Sequence, residues 1–197
     1  MSAPVCSDAC NKAAPIGLGG RAAESRRGNY GLITYEKGAW ILHMLRNLML
    51  DIHTMKEDRF QAMMRDYYMS HRGQRVTTLD FQRTVEKHMG QPMDWFFDEW
   101  VYGTAVPTYT FSWKNEPDSL GNPAVRLRVR QSDVPAGFGM YVPVLIKFGQ
   151  GEALIRMLVR DQTTEAVVRL PVAPTEVMLN PLESVLAEVK TEAWSDQ

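Results

Sequence analysis

The apolar residues in the first half of the chain recur with the period of an α-helix. Residues 35–50 carry apolar side chains around most of a helical cylinder, a pattern typical of a central helix. Residues 57–70 place apolar side chains at the i, i+3, i+4, i+7 and i+8 positions, which predicts a second helix. His71, Arg72 and Gly73 suit the C-terminal end of that helix. The helical period extends over residues 33–102.

Two shorter helices are predicted from residues typical of helix ends. Thr77, with Asp80 three residues later, has the form of a capping box, and Gly90 is a suitable helix stop. Pro92 suits the first turn of a fourth helix, which should end near Gly103.

After Pro107 the apolar period changes to two residues, the period of a half-buried strand. Strands are expected at 109–113, 125–129, 140–148, 153–160, 166–172 and 176–179. Short strands separated by Gly and Pro at this spacing are typical of an antiparallel β-sandwich. The expected fold class is therefore α+β, a helical half-domain followed by an antiparallel β-sandwich. The expected domains are an arm at 1–28, a helical part at 29–104 and a sandwich at 105–197.

Charge and composition exclude several classes of protein. The 22 Lys and Arg residues nearly balance the 23 Asp and Glu residues, so a nucleic-acid partner held mainly by net charge is not expected. An aromatic content of 10% within a 45% apolar sequence excludes disorder as the main state. No apolar run approaches the ~18 residues of a membrane span, and the first residues lack the pattern of a secretory signal. The compartment is left open.

No metal site is expected in this chain. Its histidines are His43, His53, His71 and His88. They do not form H-E-x-x-H, and no two share the i, i+4 spacing of helical zinc ligands. His43 is interpreted as part of a mostly apolar helix face, and the other three as solvent-facing or capping residues at helix ends. Cys6 and Cys10 would need two further ligands to hold zinc, and they are interpreted as tail residues or a local disulfide.

Two tyrosines stand at the start of the first apolar helix. Tyr30 and Tyr35 are five residues apart, and pattern alone favours interfacial aromatic side chains. Gly38 costs ~1 kcal/mol relative to Ala inside a helix, so its presence indicates close backbone packing there. Lys37 is unfavourable beside the positive end of the helix dipole.

The segment Tyr35-Glu36-Lys37-Gly38, continued by residues 39–46, resembles the Y-E-K-G segment of the M1 family of zinc metallopeptidases. This gluzincin family includes aminopeptidase N and leukotriene A4 hydrolase. Further segments resemble the family in the same order: Phe60 with Tyr67-Tyr68, residues 77–81, residues 95–100 with Gly103 and Pro107, the strands from Tyr109, and Asn180-Pro181-Leu182. The likeness covers about residues 28–187.

The resemblance implies a fold and a site. The helices would be the end of a thermolysin-like catalytic domain, and the strands would be the sandwich that follows it. Tyr35 would hydrogen-bond the oxyanion of the tetrahedral intermediate, and Tyr30 would line the same cleft. Zinc is expected only in the intact family enzyme. Its H-E-x-x-H and further Glu should precede Tyr35, and they are absent from the 34 residues before it.

The expected function is that of a C-terminal fragment of an M1-like zinc metallopeptidase. The intact protein would hydrolyse peptides in the manner of an aminopeptidase, and the fragment alone would be inactive. Its expected partner is the missing zinc-binding half, or a second copy that covers an exposed helical face. One alternative is a non-catalytic protein-interaction module derived from the family. Another is an anion-binding sandwich face built on Arg126, Arg128 and Arg130.

Overall fold

The computed structural model describes residues 15–17 and 31–195 of the 197-residue chain. These residues divide into a helical unit that ends at Ala105 and a β unit that begins at Val106. The fold class is therefore α+β, with the helices before the strands, as the change of period predicts. Most of the predicted arm at 1–28 lies outside the described residues.

The described part of the helical unit contains α1 (Gly38–Met49), α2 (Asp58–His71), α3 (Thr78–Met89) and α4 (Asp94–Phe97). Wider π-helical turns extend two of them, Gly31–Lys37 before α1 and Asp98–Tyr102 after α4. The four α-helices contribute to a core that includes Ile41, Met44, Leu45, Met49, Met63, Val85, Phe96 and Phe97. No described helix has the length and apolarity needed to cross a bilayer.

The ends of α3 form as the sequence predicts. The Thr77 hydroxyl accepts the Asp80 N–H at 3.3 Å, and the Asp80 carboxylate accepts the Thr77 N–H at 2.8 Å. Gly90 has a φ of 73°, a left-handed conformation that glycine adopts without strain, and its N–H donates to the Glu86 carbonyl. The predicted capping box and the predicted stop are both confirmed.

The expectation for Pro92 is wrong. The helix begins at Asp94, and Met93 is its N-cap residue with a non-helical ψ of 18°. The Glu86 carboxylate accepts the Met93 N–H at 3.0 Å, which holds Met93 just outside the helix. This contact reaches back seven residues, so the local sequence around Pro92 does not reveal it.

The strands of the β unit are β1 (Thr108–Asn115), β2 (Ala124–Ser132), β3 (Gly139–Phe148), β4 (Gly151–Arg160), β5 (Thr163–Arg169), β6 (Glu176–Leu179) and β7 (Glu188–Thr191). They form one sheet in the order β5-β2-β1-β7 and a second in the order β4-β3-β6. Apolar side chains from both sheets fill the core of this sandwich, among them Tyr109, Phe111, Val125, Leu127, Val142, Val144 and Ile146.

Two features of the sandwich differ from the expectation. The strand β7 pairs parallel with β1, so the first sheet is mixed rather than purely antiparallel. The chain leaves β6 in the other sheet and passes the short 3₁₀ turn Pro181–Glu183 before it reaches the β1 edge. The strand β5 starts at Thr163 rather than at residue 166, because the turn at Asp161, with a φ of 63°, reverses the chain at once.

Thr77→Ala tests the capping box. Loss of the hydroxyl leaves the Asp80 N–H without its cap, and we expect the free energy of unfolding to fall by about 1 kcal/mol. Thr77→Ser keeps the oxygen and should retain most of the stability. Urea unfolding of the two variants gives the comparison, and equal losses in both would contradict a capping role.

Candidate functional site

The predicted catalytic side chain lies on the π-helical turn that leads into α1. Tyr35 is 69% exposed, whereas Lys37, two residues later, is only 4% exposed. Side chains two positions apart on a helix do not share a face, so one turn presents the phenol to solvent and buries the amine. Tyr30, predicted to line the same cleft, lies outside the described residues.

Lys37 makes a long-range contact that the sequence does not predict. Its Nζ donates a hydrogen bond of 2.7 Å to the carbonyl oxygen of Gly103, 66 positions later. No carboxylate of the described residues pairs with it, and burial lowers the pKa of Lys37 to about 8. The lysine that looked unfavourable at a helix N-terminus is thus a buried link between the start of α1 and the turn that follows α4.

Close packing near this hydrogen bond explains why glycine occupies positions 38 and 17. A Cβ on Gly38 would lie 3.3 Å from the Ile16 side chain, which confirms the close approach predicted at that position. A Cβ on Gly17 would lie 2.6 Å from the Tyr102 ring. The segment at 15–17 therefore packs against both the start of α1 and the end of the π-helical turn after α4.

The histidines mostly bind neighbouring groups. The His43 Nε2 atom lies 3.1 Å from the Asn47 amide nitrogen, and the His71 Nδ1 atom lies 3.0 Å from the Tyr67 carbonyl oxygen in the last turn of α2. His71 is therefore a capping residue, as expected. His53 is exposed, also as expected.

The expectation for His88 is wrong. Its Nε2 atom lies 2.9 Å from the Asp66 carboxylate, so it links α3 to α2 rather than facing solvent. Hydrogen bonds from Lys87 and from His88 lower the pKa of Asp66 to about 2. Within residues 15–17 and 31–195, no three His, Cys, Asp or Glu side chains are grouped so that they could hold a metal ion.

The arginines of β2 face outward, as their alternation with buried residues predicts, but carboxylates neutralise them. Arg126 pairs with Glu116 and Glu165, Arg128 with Glu165, and Arg130 with Glu192. The Arg128 guanidinium also lies 3.8 Å from the centre of the Trp194 ring, at cation–π distance. An anion would have to displace these partners, so the structure does not favour the anion-binding alternative.

Comparison with known proteins identifies the family. The family model for the peptidase family M1 domain matches residues 2–100, about half of the chain. The chain belongs to peptidase family M1. A search of curated proteins finds no match.

Solved structures share the fold. The crystal structure of Legionella pneumophila aminopeptidase A in complex with aspartic acid matches this chain with a TM-score of 0.67 at 18% identity. The match covers 86% of this chain and 19% of the Legionella chain, so this chain spans about a fifth of that protein's length. At this identity the likeness shows the fold alone.

Lys37→Met tests the energetic cost of the buried amine. Between pH 8 and pH 10.5 the unfolded chain keeps the Lys37 proton that the folded chain has lost, so wild-type stability should rise with pH in this window. Relative to the variant, the rise should reach about 3 kcal/mol, at 1.36 kcal/mol per pKa unit. Below pH 8 the difference should be constant.

Urea unfolding at a series of pH values measures this difference. The matched control is Lys56→Met, which removes an exposed lysine of the same unit and should follow the wild-type curve. If the Lys37→Met and wild-type curves stay parallel from pH 8 to pH 10.5, the amine does not titrate as a buried group.

Proposed function

We propose that this chain is the C-terminal part of an M1 metallopeptidase and that the intact protein hydrolyses peptides in the manner of an aminopeptidase. The observation that carries the proposal is the match to the family domain over residues 2–100. The fold shared with an aminopeptidase supports it. The exposed phenol of Tyr35 on the turn before α1 supports it further, because an exposed side chain is accessible to a substrate.

In this proposal Tyr35 is an oxyanion donor. Its hydroxyl donates a hydrogen bond to the oxygen that becomes negative when the scissile carbonyl turns tetrahedral. Such a donor accelerates the reaction when it is fixed before the charge develops, and it contributes about 3–4 kcal/mol to the transition state. The resemblance to the family would place Tyr30 in the same cleft, which would take a peptide substrate.

The described residues do not fit the zinc ion that the family implies. They contain no cluster of three candidate ligands, and His88 is engaged with Asp66. We therefore assign the zinc ligands to another part of the intact protein. That part is the proposed partner of this chain, and the chain alone is proposed to be inactive.

A non-catalytic interaction module is the second candidate function. It is favoured by the apolar side chains that α2 leaves in solvent. Tyr68 is 61% exposed and Met69 is 65% exposed, and both lie near the C-terminal end of α2. Exposed apolar side chains of this kind mark many contact surfaces.

Assays of the purified chain separate the two candidates from a complete enzyme. We expect no hydrolysis of aminoacyl 4-nitroanilides above background, with or without added zinc, because the described residues offer no metal ligand set. Elemental mass spectrometry of protein purified without a metal-affinity tag should find less than stoichiometric zinc. One zinc per chain together with turnover would contradict the proposal that the zinc ligands lie in another part of the intact protein.

Tyr35→Phe in the intact protein tests the oxyanion donor. The change removes one oxygen, and we expect kcat to fall by about 10²–10³ with little change in KM, as for a contact made only in the transition state. Tyr68→Phe removes an exposed hydroxyl from α2 and should leave both constants unchanged. Full activity of Tyr35→Phe would contradict the assigned role.

A further inference from the structure

The buried amine of Lys37 carries a cost that an apolar side chain would avoid. The side chain is 4% exposed, and its hydrogen bond goes to a neutral carbonyl rather than to a carboxylate. Burial of a charged group without an opposite charge is unfavourable. Methionine would fill nearly the same space without this cost. The presence of lysine at this position therefore indicates a role for its Nζ atom.

That atom holds the end of a segment with unusual helical geometry. The residues Gly31–Lys37 form a π-helical turn that runs directly into α1. Turns of this type are uncommon and concentrate at functional sites. The Lys37 hydrogen bond spans 66 positions and ties the last residue of this turn to the far end of the helical unit.

The acceptor of the hydrogen bond is itself tightly confined. A Cβ on Gly103 would lie 2.3 Å from the Glu99 carbonyl oxygen, so only glycine fits at this position. The preceding residue, Tyr102, packs against Gly17. The Gly103 carbonyl therefore lies in a closely packed part of the helical unit, and the hydrogen bond ties Lys37 to it.

We propose that Lys37 is a positioning residue, whose amine fixes the π-helical turn to the Gly103 carbonyl and thereby sets the position of the Tyr35 hydroxyl. The proposal rests on the function proposed for Tyr35. An oxyanion donor works only within a few tenths of an ångström of its productive position, and a displacement of ~1 Å can cost a factor of about 10² in rate. A donor on an exposed turn needs such an anchor from the core.

A double-mutant cycle in the intact protein tests the proposal. Lys37→Met should lower kcat by about 10-fold to 100-fold and leave KM nearly unchanged. In the Tyr35→Phe background the same substitution should lower kcat no further, because Lys37 acts through the lost hydroxyl. Lys56→Met, which removes an exposed lysine, should have no effect in either background.

The outcomes separate the two proposals. Equal losses from Lys37→Met in both backgrounds would show a general structural role and overturn the positioning role. An unchanged kcat in Lys37→Met, with Tyr35→Phe impaired, would overturn the positioning role alone. Full activity of Tyr35→Phe would overturn the function proposed for Tyr35.

A readout independent of activity uses 3-fluorotyrosine placed at position 35. The wild-type chain should give one narrow ¹⁹F resonance, and Lys37→Met should give a broadened or second resonance. Identical spectra would contradict the proposal. If Lys37→Met does not fold, Lys37→Gln serves both experiments, because its side chain is one bond too short to make the 2.7 Å contact with Gly103.

Discussion

The hydrogen bond between the Lys37 amine and the Gly103 carbonyl joins the start of α1 to the turn that follows α4. Both ends of the bond are restricted, one by burial and the other by a position that admits only glycine. The exposed phenol of Tyr35 lies on the π-helical turn whose last residue makes this hydrogen bond. A polar contact in the interior thus anchors a turn that presents a phenol at the surface.

Features that depend on neighbours in the sequence were predictable. The capping box at Thr77 and the left-handed stop at Gly90 form from residues within one helical turn, and the inward-facing residues of β2 alternate as a half-buried strand requires. The close contact at Gly38 was also predictable, because a glycine inside a helix costs stability and so indicates close packing. The resemblance to family M1 was likewise visible in the sequence, because it depends on short segments that occur in the family's order along the chain.

Features that depend on distant residues were not predictable. The start of α4 depends on the Glu86 carboxylate, and the burial of Lys37 depends on Gly103. The strand β7 has four exposed side chains, so no alternation marks it in the sequence. For the candidate site, the sequence indicated Tyr35 through the family segment. Lys37, on the same turn, was recognised only as a charge that is unfavourable at a helix N-terminus.

The parallel strand β7 also affects how the protein can associate. It covers one side of β1, which would otherwise offer unpaired backbone groups to a strand from another molecule. The new edge is only four residues long, and it carries Glu188 and Lys190, whose side chains pair at 3.2 Å. A short, charged edge is a poor template for strand addition, so β7 disfavours fibril-like growth at this edge of the sheet.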